Sequence, residues 1–288
     1  MQTYLKHTLL AALLMALLGA PPNASANIVI DFASAMAVDG YSQATMDAIS
    51  QTTFYFEHAS VGSNMTDGLR TLHAANAGFY QLATADVSSP PGTSTPGTVY
   101  EFARGNPNWT DKVADFASRI TTDGIGIIYV LNKFCWIDEQ ADWSVYAASI
   151  AALETANPGT TFVYMAMPLT PDSDYANVLR NQFNAGLRTW AAANDKILFD
   201  VADIEAHNAS GTLQTFDYNG SVYERMASEW TSDGGHPDSN GSDALLARGF
   251  YALAAETAVI PEPATFALSL GAGTLGLAFW RCRRREQT

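Results

Sequence analysis

Thr53-Phe54-Tyr55-Phe56-Glu57-His58-Ala59-Ser60-Val61-Gly62 decides the fold. Its opening run is β-branched and aromatic with no polar break, the pattern of a strand buried on both faces, and Met65, Leu69 and Leu72 follow at helical spacing. A strand therefore passes into a helix through a short turn, with Ser60 at the carboxyl end of the strand. The same alternation repeats outward. Ser42 to Gln51 has helical character; residues 78 to 100, rich in Ser, Thr, Pro and Gly, predict a long loop with a short strand near Tyr100 to Phe102. Asn108 is placed to cap a helix whose Val113, Phe116 and Ile120 face inward, and Asp123-Gly124 ends it before a strand over Ile125 to Leu131. Trp143 to Thr155 and Tyr175 to Ala193 read as helices, Thr161 to Met167 and Lys196 to Val201 as strands, and Ser242 to Ala258 as a closing helix. Residues 202 to 239 have no clear periodicity. Uninterrupted apolar strands alternating with amphipathic helices predict a mostly parallel sheet covered on both faces, a three-layer α/β/α sandwich whose working residues gather at the carboxyl ends of the strands.

Serine hydrolysis needs a base, a carboxylate that orients it, and donors for the oxyanion. Ser60 follows the first apolar strand, and its amide at a helix N-terminus would face a developing negative charge. Asp233-Gly234-Gly235-His236-Pro237 sets a carboxylate three residues before an imidazole, so that Asp233 can fold back to orient His236. Other roles stand beside these. A serine before a helix is commonly only its N-cap, and Ser63 is the nearest rival nucleophile. His58 reads either as a partner behind the site or as structural; Lys133 and Asp138 either pair near it or form a solvated strand end. Trp136, Trp143 and Trp230 suit sugar stacking and core packing equally. Cys135 reads as a buried structural thiol. No nucleotide-binding or zinc-protease motif occurs, and no cofactor or metal is expected.

Asp-Gly-Gly-His-Pro, followed by Asn240-Gly241 and a terminal helix, resembles the last block of SGNH/GDSL hydrolases. The order of serine early and Asp-x-x-His late is also theirs. Gly-Asp-Ser is absent; His58-Ala59-Ser60-Val61-Gly62 stands in its place and resembles a subgroup with a Gly-His-x-Ser-Val-Gly opening, as do Arg104-Gly105-Asn106-Pro107 through Lys112 and Lys133-Phe134-Cys135. The resemblance implies a flavodoxin-like sandwich and a Ser60, His236 and Asp233 triad. It implies oxyanion donors at Gly105 or Asn106, with Asn132 in place of the missing Gly-x-Asn-Asp block, and His58 and Lys133 behind them. The expected substrate is an acyl ester, with extracellular polysaccharide as its carrier. The alternative is an inactive envelope protein of the same fold that binds glycan or matrix.

Both ends read as address labels. Lys6 and His7 precede the apolar run Leu9 to Leu18 and Ala24-Ser25-Ala26, a secretory signal peptide over 1–26 for signal peptidase. Residues 259–288 hold Pro261-Glu262-Pro263, an uncharged segment over 264–280 and then Arg281, Arg283, Arg284 and Arg285, a membrane stop with a cytoplasmic C-terminus. That order resembles the PEP-CTERM sorting signal, which implies an exosortase partner, an inner-membrane precursor and delivery to the cell envelope or extracellular matrix. Between the ends, residues 27–258 are expected to form one domain. The 288-residue chain is 48% hydrophobic and 15% charged with a net charge of −14, and five of its 15 basic but only two of its 29 acidic residues lie outside 27–258, so the body is more acidic still. Nucleic acid is excluded as a partner on that charge, and two cysteines, Cys135 and Cys282, exclude a disulfide framework.

Overall fold

The computed structural model describes residues 27–123, 127–238 and 241–258, and the signal-peptide and sorting-signal segments lie outside them. Seven parallel strands form the central sheet: β1 (Val29–Ile30), β2 (Thr53–His58), β3 (Ala83–Asp86), β4 (Thr98–Ala103), β5 (Tyr129–Asn132), β6 (Thr161–Met165) and β7 (Leu198–Phe199). Their spatial order is β1-β7-β6-β5-β2-β4-β3. The chain leaves β2 to one side for β3 and β4 and returns to its other side for β5. β2 is thus the point where the strand order reverses, the place where open α/β sheets hold their ligands.

The apolar run of β2 is explained by burial on both faces. Phe54 and Phe56 point into one core with Val61, Met65 and Leu69 of the helix Val61–Ala75 and Leu246, Phe250 and Leu253 of Ser242–Ala258. Tyr55 points into the other with Phe116 and Ile120 of the helix Trp109–Asp123, Tyr146 and Ile150 of Trp143–Ala156, and Phe183 and Leu187 of Tyr175–Ala193. The three-layer α/β/α sandwich expected from the sequence is the observed fold. Asn108 caps its helix through the Asp111 amide, 3.0 Å away, and Asp142 and Asp174 cap the next two.

Val61–Ala75 and Ser242–Ala258 cross so closely that a Cβ on Gly68 would lie 2.1 Å from the Asp243 carbonyl oxygen. This crossing sets the start of the helix after Ser60 beside the loop that ends in the closing helix, and so brings two distant stretches of sequence to one edge of the sheet.

Several elements differ from expectation. The predicted loop over 78 to 100 contains β3, and β4 begins at Thr98. β3 is an edge strand, Ala-Thr-Ala-Asp, with no fully buried residue, so no apolar run announces it. The unassigned stretch after residue 201 holds a short helix, Val201–Ala206, and an antiparallel hairpin of β8 (Thr215–Tyr218) and β9 (Ser221–Glu224). Asn219 and Gly220 make its turn at φ 54° and 81°, the Asn-Gly pairing that two-residue hairpins favour. The expected strand over 125–131 begins at Tyr129, and residues 124–126 lie outside the described residues. Among the described residues no helix is long and apolar enough to cross a membrane.

Candidate active site

Ser60 occupies the N-cap position of Val61–Ala75 but does not cap it. Its side chain bonds no amide of its own helix, and its backbone stands at φ 56°, ψ −117°, a region that non-glycine residues adopt at a cost of about 1–3 kcal/mol. The turn lifts Oγ off the strand end and turns it across the sheet edge to Nε2 of His236, with which it forms a hydrogen bond. Ser63, the rival, lines the same cleft but makes no such bond. The first helical bonds run from the Gly62 amide to the Ala59 oxygen and from the Ser63 amide to the Ser60 oxygen. The Ser60 amide precedes them at the positive end of a 15-residue helix, where no backbone acceptor among the described residues takes it.

The loop Thr231 to His236 folds on Asp233. Its Oδ1 accepts from the amides of Gly235 (3.0 Å) and His236 (2.9 Å) and from Thr231 Oγ1 (3.1 Å), while Oδ2 lies 2.7 Å from His236 Nδ1. Gly234 takes φ 90° to close the turn. The His236 amide and ring, with the Gly235 amide, hold the Asp233 carboxyl well below the usual carboxylate range. The imidazole is thereby held with Nδ1 toward a carboxylate acceptor and Nε2 toward Ser60. Side-chain exposures of 36% for His236 and 56% for Asp233 place this pair at the rim.

An open cleft of about 410 Å³ is lined by Ser60 and His236, by Gly105 and Asn106, and by Cys135, Trp136 and Ile137. The carboxyl ends of β2, β4 and β5 supply it. Trp136 is wedged in place: a Cβ on Gly235 would sit 2.8 Å from its indole, its carbonyl accepts from Arg180 Nε at 2.7 Å, and its ring meets His236 edge-on at 6.2 Å. Ile137, 43% exposed, offers an apolar contact at the mouth.

The other sequence candidates fall as follows. Gly105 and Asn106 line the cleft; Asn132 does not, being buried at the end of β5 with its Oδ1 unpartnered. His58 is buried beneath the first helical turn, where a Cβ on Gly62 would strike it at 2.3 Å, and its Nε2 lies 3.1 Å from Glu101 Oε2. Burial, partly offset by Glu101, pushes the His58 pKa down.

Lys133 and Asp138 do not pair. Lys133 donates to the Phe134 carbonyl at 2.6 Å, and complete burial lowers its pKa to about 8; Asp138 pairs instead with Lys112 at 2.6 Å. The reason is tertiary, because Lys112, on the helix Trp109–Asp123 that precedes β5, is brought to Asp138 in the turn that follows it. Glu205, which sequence reasoning passed over, is also fully buried, accepts from the Leu169 amide at 2.7 Å and is pushed up to about 8 by that burial. Of the tryptophans, Trp136 lines the cleft, Trp230 is core with Nε1 donating to the His207 carbonyl at 2.6 Å, and Trp143 packs against Gly186 beside a separate depression. Cys135 is buried and reaches the cleft wall.

No family model matches the chain, and no curated protein matches it. Similar solved structures include a GDSL-like lipase from Bacteroides thetaiotaomicron (11% identity over 78% of this chain and 96% of that one, TM-score 0.42). Another is an acetylxylan esterase from Geobacillus stearothermophilus (15% identity over 70% of this chain and 93% of that one, TM-score 0.43).

Proposed function

We propose that the chain is a serine ester hydrolase of the SGNH type, acting on short acyl esters. One observation carries this reading: a serine held in a strained backbone, free of any capping role, meets an imidazole whose other nitrogen is fixed by a carboxylate, at the mouth of an open cleft. In this reading Ser60 Oγ adds to the ester carbonyl carbon as His236 Nε2 takes its proton. The tetrahedral oxyanion is met by the Ser60 amide, with Gly105 and Asn106 of the same cleft as further donors. His236 then gives the proton to the departing alcohol oxygen as the carbon–oxygen bond breaks. Water, deprotonated by the same nitrogen, releases the acid and restores Ser60. Asp233 keeps the tautomer in which Nε2 is the base. The cleft's size and apolar wall suit an acyl group such as acetate.

The test is a fluorophosphonate probe on the full-length chain in mild detergent, with turnover of a short-chain aryl ester alongside. Covalent labelling should map to Ser60, vanish in Ser60→Ala and persist in Ser63→Ala. An unlabelled wild type that nonetheless holds a polysaccharide would overturn hydrolysis in favour of glycan binding.

We further propose export, on the two terminal segments, and a carbohydrate-borne ester as substrate, on the acidic body and the likeness of the tail to a sorting signal. A processing enzyme would cut near Pro261-Glu262-Pro263, whose two prolines disfavour helix. Mass spectrometry of the envelope-associated protein should therefore find no peptide from Arg281 to Thr288; its recovery there in intact form would refute the sorting reading.

A further inference from the structure

Lys112 is wholly buried, yet its ammonium has only polar company: Asp138 Oδ2 at 2.6 Å and Asn106 Oδ1 at 3.0 Å. Asp138, 5% exposed, accepts in addition from the Cys135 amide at 2.8 Å. The pair thus ties the loop after β4, which carries Gly105 and Asn106, to the turn after β5, which carries Cys135, Trp136 and Ile137; these are two walls of the cleft. As a stabilising device it is a poor choice. Burying two charges is costly, and an apolar pair of similar volume is commonly as stable. Its geometry has a sharper consequence. An ammonium can only donate, so the Asn106 amide must present its oxygen to Lys112 and turn its NH₂ the other way. No acceptor among the described residues takes that NH₂, and Asn106 is an exposed residue of the same cleft that Ser60 lines.

We propose that Lys112 and Asp138 are positioning residues that lock the side-chain amide of Asn106 with its NH₂ toward the carbonyl oxygen of an ester held at Ser60. This rests on the hydrolase reading and deepens it. The side-chain donor, which Asn132 does not supply, comes from the loop after β4 and is oriented by a buried charge that never touches substrate.

The experiment compares rates of Ser60 labelling by a fluorophosphonate, and kcat and KM for an aryl acetate, in the full-length chain. Asn106→Ala should slow both labelling and kcat by about 100-fold, with KM little changed. The doubly substituted Lys112→Met/Asp138→Leu removes both charges together and should slow them at least about 10-fold. Adding this double change to Asn106→Ala should cost nothing further, because it acts only through that amide. Lys112→Met/Asp138→Asn also removes both charges and the donor to Asn106 but keeps an acceptor for the Cys135 amide, and serves in its place should the apolar pair fail to fold. Full wild-type rates in a folded pair variant, or losses that multiply with that of Asn106→Ala, would overturn the positioning role while Ser60 labelling left the hydrolase reading intact. Absence of labelling in wild type would overturn both.

Discussion

His236→Ala should lower kcat on an aryl acetate by about 10⁵- to 10⁶-fold, matching Ser60→Ala, and the two together should lose no more than either alone. The equality follows from the geometry. Among the described residues Nε2 is the one base set against Ser60 Oγ, and a serine hydroxyl that keeps its proton is a feeble nucleophile. Once the base is gone the serine adds nothing, so the second substitution removes nothing. What remains above the rate in water belongs to the oxyanion donors and to the cleft. The check is a double-mutant cycle under saturating ester, with folding monitored by circular dichroism. Losses that multiply would show that Ser60 and His236 do not act as one unit.

Asp233→Asn should cost about 10⁴-fold in kcat with little change in stability, a larger loss than its exposed position suggests. Asn keeps an oxygen for the Gly235 and His236 amides that now bond Oδ1, so the turn survives. It places an NH₂ where Oδ2 now faces Nδ1. Nδ1 must then accept, which puts the ring proton on Nε2 and leaves no base for Ser60. Asp233→Ala, which loses the turn's hydrogen bonds but imposes no tautomer, should retain more activity than Asp233→Asn. Equal activity in all three proteins would contradict an orienting role. Because its own neighbours hold Asp233 ionised well below the ordinary carboxylate range, its protonation contributes nothing to any loss of activity above about pH 4. The sign follows from linkage: a depressed carboxyl pKa leaves the charged form intact until the pH falls to that lowered value.

The second of these effects depends on a contact three residues long, and this is why it could be read from the chain. Asp233 and His236 are neighbours whatever the rest of the fold does. The Ser60 to His236 contact spans 176 positions and has no local signature; its expectation came from the likeness of Asp-Gly-Gly-His-Pro to a known block. Where local signals misled, burial and partners had changed their meaning. Asn132 has the right residue type at the right strand end, but its side chain is buried away from the cleft. Lys133 and Asp138 are close in sequence, yet each finds its partner elsewhere.

By itself the sequence determined the alternation of strand and helix, because apolar periodicity is a local property of the chain, and with it a parallel sheet covered on both faces. It also determined the Asp233 to His236 turn, whose glycines and spacing close on themselves. Only the tertiary structure decided that the strand order reverses at β2, that Ser60 abandons its capping role for His236, and that Lys112 rather than Lys133 meets Asp138. These depend on which helices cross and how near. The contact of Gly68 with the Asp243 backbone is one such crossing, and no periodicity in either helix encodes its partner.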